Sequence, residues 1–185
     1  MSAATGEGLG GARRVLVFGV TGSGKSTTAA AIARRTGLPY HAVDDLTWNP
    51  GWSPVPHDEQ RRRIEAVAAQ PAWVIDAAYA RWADVVLSRV QLVVGLDYPR
   101  WFSLQRLVRR TVRRLVTRTP ICNGNRESLR KTVAADSIVV WHFRSFPQKR
   151  TRMRAWEADP DGPPVLRFTS ARAARDWLDR LPTAP

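Results

Sequence analysis

The feature that most restricts the fold of this chain is a short apolar strand that runs directly into a glycine-rich loop and a helix. Residues 14–18 read RVLVF, a β-branched run that predicts a buried strand. Residues 19–26, GVTGSGKS, follow at once and match G-x-x-x-x-G-K-[S/T] at every required position. Residues 25–36 are rich in alanine and predict a helix that ends at Gly37. A strand, loop and helix in this order form a P-loop, which binds nucleotide phosphates.

Each residue type in the loop has a chemical reason to be there. The glycines let the backbone turn tightly and bring its N–H groups close to phosphate oxygens. The following helix directs its unpaired N–H groups and positive dipole end at the same anion. Lys25 supplies a point charge for the β- and γ-phosphates of ATP, and the Ser26 hydroxyl is expected to bind Mg²⁺. The residues predicted to contact the nucleotide are Gly19, Thr21, Gly22, Ser23, Gly24, Lys25, Ser26 and Thr27.

Strand and helix patterns alternate along the rest of the chain. This alternation is typical of a parallel sheet with helices on both faces, so we expect a three-layer α/β P-loop NTPase fold with a five-stranded parallel sheet. The length of 185 residues suits one domain, which we place at residues 13–182 after a flexible N-terminus at residues 1–12. The five predicted strands are residues 14–18, 40–43, 73–75, 91–96 and 165–168.

The composition of the chain indicates in which cellular compartment the protein is expected. No stretch approaches the roughly 20 apolar residues that cross a bilayer, so a membrane association is not expected. Cys122 is the one cysteine of the chain and has no partner for an internal disulfide. These observations favour a cytoplasmic protein, either a monomer or a homodimer.

Three carboxylates follow predicted strands. In open α/β sheets the carboxyl ends of the strands point into the ligand crevice. Asp76 is the candidate for holding Mg²⁺ directly or through water, and Asp44 is the candidate for contacting the acceptor of a phosphoryl group. Asp97 either belongs to the same crevice or caps the helix that follows it.

The excess of positive charge is confined to one part of the chain. Residues 100–154 contain 15 arginines and lysines against two acids, which leaves 14 basic and 14 acidic residues elsewhere. Such a patch implies a polyanionic partner, and arginine forks suit phosphate oxygens. We expect an Arg-rich lid at about residues 118–157, interrupted near Pro147. The residues predicted to contact substrate are Arg106, Arg110 and Arg144, and Lys149 and Arg150 of the lid are further candidates.

Residues 100–117 have the spacing of a long amphipathic helix. Its apolar positions predict the buried side, and its arginines lie outside that side. Further upstream, Trp48 and Trp52 flank a Pro-Gly turn just after Asp44, where they either line an acceptor pocket or anchor the loop to the core. The predicted buried stripe of the helix consists of Trp101, Leu104, Val108, Val112 and Leu115.

Five segments together carry a resemblance to a known family. The segments are VFGVTGSGKSTTA, LPYHAVDDLTWNPGW, AWVIDAAY, LDYPRWFSLQRLVRR and VLRFTS. They resemble the adenylate-kinase-like P-loop proteins labelled DNA topology modulation proteins (FlaR-related), over roughly residues 13–181. The resemblance implies a nucleoside-monophosphate-kinase-like fold in which Asp76 ends the strand beside the P-loop strand. The family commonly has Gly-Asn-Tyr after that aspartate, whereas this chain has Ala77, Ala78 and Tyr79.

Two functions remain open at this point. The favoured one is an ATP- and Mg²⁺-dependent phosphotransferase that acts on a small molecule, nucleoside or nucleotide. The alternative is an ATP-binding or ATP-hydrolysing regulator that contacts nucleic acid through residues 100–154. The alternative is less favoured because single-strand binders interleave exposed aromatic side chains with basic ones, and Trp101 is predicted to be buried.

Overall fold

The computed structural model describes residues 8–117, 123 and 138–183. Its centre is a five-stranded sheet of order β2-β5-β1-β6-β7 in which all neighbouring strands are parallel, and helices flank the sheet. This arrangement confirms the predicted fold class. The strands of the sheet are β1 (Arg14–Gly19), β2 (Tyr40–His41), β5 (Trp73–Ile75), β6 (Leu92–Leu96) and β7 (Val165–Phe168).

The helices and one small hairpin connect these strands. A two-stranded antiparallel hairpin joins β3 (Trp48–Asn49) to β4 (Ser53–Pro54) through a 3₁₀ turn at Pro50–Trp52. Among the described residues there are seven α-helices: α1 (Lys25–Thr36), α2 (Val43–Thr47), α3 (His57–Ala68), α4 (Ala83–Leu87), α5 (Arg100–Thr117), α6 (Ile138–Ala158) and α7 (Ala171–Asp179).

The pleat of β1 divides its side chains between two cores. Val15 and Val17 face a cluster that α1 and α7 cover with Ile32 and Trp177. Leu16 and its neighbour Phe18 belong to the opposite cluster. Because alternate residues of a strand point to opposite faces, the run RVLVF supplies both cores at once.

The second core lies between the sheet and four helices. Helices α2, α3 and α4 contribute Val43, Ile64 and Val86, all with no exposed area. Helix α6 contributes Met153, and its Trp156 ring packs edge-on against Phe18 with the ring centroids 4.7 Å apart. The C-terminal half of α6 is therefore part of the core.

The predicted buried stripe of α5 is wrong. Trp101 is 72% exposed, and Val112 is 54% exposed. The buried side instead consists of Ser103, Leu107 and Thr111, because this side approaches the P-loop closely and small residues permit that approach. Of the three other predicted members, Val108 is exposed and Leu104 is half-buried, and the side chain of Leu115 lies outside the described residues.

Three local predictions are corrected or completed. Asp44 does not end a strand but lies in the first turn of α2, since β2 stops at His41. The predicted interruption near Pro147 is absent from the described α6, which continues through this exposed proline from Ile138 to Ala158. Ser170 caps α7 as predicted, and its hydroxyl accepts a hydrogen bond of 3.2 Å from the Ala173 N–H.

Several expectations concern segments that are described only in part. Residues 1–7, 118–122 and 124–137 lie outside the described residues, and so does Cys122. Leu9 and Ala12 pack against the core from the N-terminal side. The flexible N-terminus and the lid stay predictions. Within the part of the chain that the structure describes, no helix is long and apolar enough to cross a bilayer.

Candidate active site

The P-loop lies between the end of β1 and the start of α1. Gly22 and Gly24 have φ angles of 85° and 92°, a region that favours glycine. The Ser23 N–H donates to the Val20 carbonyl at 3.1 Å, which closes the loop into a tight turn. No side chain caps α1, so the backbone N–H groups of its first turn are directed toward the concave side of the loop. The loop thus has the tight turn before a helix that the sequence predicts, and phosphate binding by it stays a prediction.

Helix α5 packs directly on this loop. A Cβ added at Gly22 would lie 2.2 Å from the carbonyl oxygen of Ser103, so the contact requires glycine. One turn further along, the guanidinium of Arg106 lies against Gly24, with Nη2 2.9 Å from the position of an added Cβ. The same guanidinium lies 5.6 Å from the centroid of the Phe102 ring. The structure thus brings Arg106 to the nucleotide side of the site.

Lys25 lies where the P-loop meets two of the predicted carboxylates. Burial lowers its pKa, while the charges of Asp44 and Asp76 oppose that shift. The guanidinium of Arg110 lowers the pKa further. Asp76 follows β5, which pairs with β1, so its carboxylate lies at the same end of the sheet as the P-loop. The Val43 N–H binds Asp76, and Asp44 is the next residue of α2.

Asp76 is buried and holds two donors. The Val43 N–H donates to its Oδ1 at 2.9 Å, and the Tyr40 hydroxyl donates to its Oδ2 at 3.0 Å. Burial and the Asp76 charge raise the pKa of Tyr40, whereas a hydrogen bond with Ser26 opposes the rise. Tyr40 therefore links the two residues predicted to hold Mg²⁺, Ser26 and Asp76.

Asp44 faces the outer part of the site. Its Oδ1 accepts a hydrogen bond of 2.7 Å from the hydroxyl of Tyr79, which packs on Trp82 with ring centroids 5.3 Å apart. Asp44 is exposed, whereas Asp76 is buried. The two carboxylates thus differ in their access to solvent.

Helix α6 adds His142, which was not among the predicted site residues, and contains the lid candidates Arg144, Lys149 and Arg150. The Nδ1 atom of buried His142 lies 2.9 Å from the carbonyl oxygen of Thr21 in the P-loop. Lys149 lies two turns further on the same face, within the electrostatic reach of Lys25 and Asp44. Arg144 is exposed on the other side of the helix, so the structure does not bring it into the site. Lys149 lies seven residues after His142 and therefore on the same face of the helix, whereas Arg144 does not. The sequence alone does not show which face of this helix is the inner one.

Asp97 has a different role from both predicted alternatives. It cannot cap α5, which begins at Arg100. Its buried carboxylate pairs with Arg150 at 2.7 Å, Arg167 at 3.1 Å and Arg154 at 3.6 Å. Asp97 therefore holds α6 and β7 against the end of β6.

Trp48 and Trp52 contact each other across the hairpin. Their rings lie edge to face with centroids 5.8 Å apart. The Asn123 side chain donates to the carbonyl oxygens of Asp45 and Trp48 at 3.0 and 2.7 Å. These contacts stabilise the hairpin itself, and the choice between a pocket wall and an anchor to the core stays open.

Comparison with known proteins bears on the fold. No protein-family model matches the chain. The chain is 23% identical over 171 residues to the uncharacterized protein YqaC of Bacillus subtilis (strain 168), which covers 91% of this chain and 95% of YqaC. Among solved structures, the shikimate kinase of Acinetobacter baumannii in complex with shikimate superposes with a TM-score of 0.55 at 17% identity, covering 90% of this chain and 88% of the kinase.

Two further solved structures agree with that likeness. A sugar kinase of Janibacter sp. HTCC2649 has a TM-score of 0.52 at 18% identity, covering 91% of each chain. A gluconokinase of Sinorhizobium meliloti 1021 has a TM-score of 0.50 at 18% identity, covering 90% of this chain and 91% of the gluconokinase. The chain has the P-loop kinase fold. At these identities the likeness extends to the fold, and function has to be argued from the residues of this site.

Proposed function

We propose that this protein is an ATP-dependent phosphotransferase that acts on a small molecule. The observation that carries the proposal is that Lys25 of the P-loop, Asp76 after β5 and Asp44 in α2 lie at the same end of the sheet, with Asp76 bound by the Val43 N–H. A cation for the donor phosphates and an exposed carboxylate for the acceptor are both present there. Kinases require this combination, whereas a simple nucleotide-binding module does not.

The proposed reaction moves one phosphoryl group. The P-loop binds the triphosphate of ATP, with Lys25 at the β- and γ-phosphates. An acceptor hydroxyl beside Asp44 attacks the γ-phosphorus as the bond from that phosphorus to the β,γ-bridging oxygen breaks. Asp44 accepts the hydroxyl proton, and ADP leaves with the bridging oxygen. Arg106 and Arg110 neutralise the charge on the phosphates during transfer.

Magnesium fits the oxygen-lined corner at Ser26 and Asp76. The described residues contain no group of three or more His, Cys, Asp or Glu side chains that could hold a metal by itself. Mg²⁺ bound with phosphate oxygens and water needs only one or two protein oxygens, so Ser26 and Asp76 would be sufficient. The ion would shield the phosphate charge. Tyr40, which touches both residues, would keep them in place.

A phosphoryl-transfer screen tests this function. Nucleosides, nucleotides, sugars and hydroxy acids are offered with ATP and Mg²⁺, and acceptor-dependent ADP release is measured. Lys25→Ala is expected to lower turnover by at least about 10²-fold, the size typical of losing one charge-stabilising group. Arg89→Met is the matched control. Arg89 is an exposed cation just before β6, at the amino-terminal ends of the strands, whereas the P-loop lies at the carboxyl-terminal end of β1. Transfer that persists in Lys25→Ala would contradict the proposal.

A second candidate function has gained support from the exposure of α5. Trp101 is 72% and Phe102 37% exposed, and both lie beside arginines, as in proteins that bind single-stranded nucleic acid. The sequence-based reason for disfavouring this function, a buried Trp101, is therefore wrong. Binding of a labelled single strand and of a nonspecific duplex at low salt tests it, with Trp101→Ala as the variant. Undetectable binding at low salt would exclude this candidate, since phosphate contacts are strongest there.

Three finer expectations belong to the same proposal. The resemblance to the DNA topology modulation family does not extend to Ala77 and Ala78, where the family has Gly and Asn, so the acceptor of this chain is not inherited from the family. A cytoplasmic location would supply ATP and Mg²⁺. A monomer or a homodimer would suit a site built from one chain, and light scattering distinguishes the two.

A further inference from the structure

The inner face of α6 contains one charged residue in an otherwise uncharged stripe. His142, Phe146, Lys149 and Met153 recur at helical spacing, so they lie on one side of the helix. His142, Phe146 and Met153 are no more than 5% exposed, and Lys149 between them is half-buried. A lysine at such a position loses much of its hydration, and this loss needs a compensating anion.

Contacts on both sides of Lys149 fix where this face points. On the N-terminal side, His142 contacts the Thr21 carbonyl of the P-loop at 2.9 Å. On the C-terminal side, Arg150 and Arg154 pair with Asp97 at the end of β6. Helix α6 is therefore held against the body of the protein at two places, and Lys149 between them is directed at the P-loop.

The charged neighbours of Lys149 come from both sides of the site. Burial lowers its pKa to about 7, and the Lys25 ammonium adds to this shift. Asp44 opposes the shift, and Arg152 on α6 itself adds to it. Within the part of the chain that the structure describes, the Lys149 ammonium makes no hydrogen bond or ion pair. Two ammonium groups thus lie near each other with too little negative charge between them.

We propose that Lys149 is a second phosphate-binding lysine, which contacts the γ-phosphoryl group between the donor side at Lys25 and the acceptor side at Asp44. This inference rests on the proposed phosphotransferase function and assigns it one further catalytic residue. Because this face of α6 meets the P-loop through the contact between His142 and Thr21, Lys149 extends toward the space between the donor side at the P-loop and the acceptor side at Asp44. There it meets the γ-phosphate, which ATP has and ADP lacks.

Nucleotide binding separates this role from a structural one. Binding of β,γ-imidoadenosine triphosphate and of ADP, each with Mg²⁺, is measured by calorimetry for the wild type and three variants. Lys149→Met removes the charge and keeps an unbranched apolar chain, which fits between Phe146 and Met153. Lys149→Arg keeps the charge. Arg89→Met removes a charge at the amino-terminal ends of the strands, away from the P-loop.

The expected result is a selective loss. Lys149→Met should weaken binding of the triphosphate roughly 10- to 100-fold, the range for one charge-assisted hydrogen bond, and leave ADP binding within about threefold. Lys149→Arg should recover part of the triphosphate affinity, and Arg89→Met should match the wild type.

Each remaining outcome has a distinct meaning. Unchanged triphosphate affinity in Lys149→Met, or an equal loss for triphosphate and ADP, overturns the assignment of Lys149 and leaves the phosphotransferase proposal intact. A wild type that binds neither nucleotide removes the proposed function, and the assignment of Lys149 falls with it.

Discussion

The Nδ1 atom of His142 lies 2.9 Å from the carbonyl oxygen of Thr21, and this contact joins α6 to the P-loop. A carbonyl oxygen only accepts hydrogen bonds, so Nδ1 carries the proton. Burial lowers the pKa of His142. The neutral imidazole therefore supports the shape of the phosphate cradle from a helix that is distant in sequence.

Replacing His142 tests this support. His142→Leu removes the donor and leaves the Thr21 carbonyl unpaired, which should lower the free energy of unfolding by about 1–3 kcal/mol and weaken ATP binding. His142→Asn places an amide N–H near the same position and should retain most of both. Urea unfolding and calorimetry measure the two effects. Equal behaviour of the two variants would show that the hydrogen bond contributes nothing.

The same residue predicts a loss of stability in acid. When the pKa of a base is lower in the folded state than in the unfolded state, protonation of that base is disfavoured in the folded state. The unfolded state therefore binds more protons as pH falls below about 6.5, and the folded state loses stability. Unfolding curves of wild type and His142→Asn between pH 5 and pH 7 should diverge, with the variant less sensitive to pH. If the stability of both proteins changed equally with pH, His142 would not be the source of the acid sensitivity.

Two glycines with similar backbone angles give a matched pair. Gly22 has a φ of 85° and Gly51 a φ of 78°, but only the first faces a neighbour that an added Cβ would overlap, the Ser103 carbonyl oxygen at 2.2 Å. Gly51→Ala should cost about 1–2 kcal/mol from the backbone angle alone. Gly22→Ala should cost more and abolish ATP binding, because α5 must move off the P-loop. Equal losses in urea unfolding would show that the packing contact is unimportant.

The cluster around Asp97 predicts a large effect from a single atom change. Asp97→Asn removes the charge that three guanidiniums share, and two of them belong to α6. We expect a loss of about 2–3 kcal/mol, below the roughly 3–5 kcal/mol of a fully buried pair because the arginines are partly exposed. Asp161→Asn, in an exposed turn, is the control and should stay within about 0.5 kcal/mol. A similar change in both variants would refute the role of the cluster.

Lys149 predicts a pH dependence of the same sign as that of His142, but on the alkaline side. Its pKa falls from 10.5 to about 7 in the folded protein. Between these values the unfolded state binds more protons, so stability of the nucleotide-free protein rises with pH from about 7 to about 10.5. Melting temperatures of wild type and Lys149→Met at pH 7, 8 and 9 test this. The variant should gain less on raising the pH, although Lys25 retains part of the effect, and an equal gain would count against it.

The sequence alone predicted the features that depend on neighbouring residues. The P-loop at residues 19–26, the five parallel strands and the Ser170 cap each follow from a local pattern whose energetics involve few distant partners. The placement of Asp76 beside the P-loop strand came from the resemblance, and the pairing of β1 with β5 agrees with it.

The tertiary structure decided which face of each helix is buried and which side chains from distant segments meet. The apolar side of α5 was expected inside, yet the close approach of its backbone to Gly22 selects the side with Ser103 and Leu107. The sequence could not tell that Asp97 gathers arginines from α6 and β7, or that α6 turns Lys149 inward and Arg144 outward. The local sequence shows that a helix forms and which residues share a face, but only packing against distant segments selects the face that is buried.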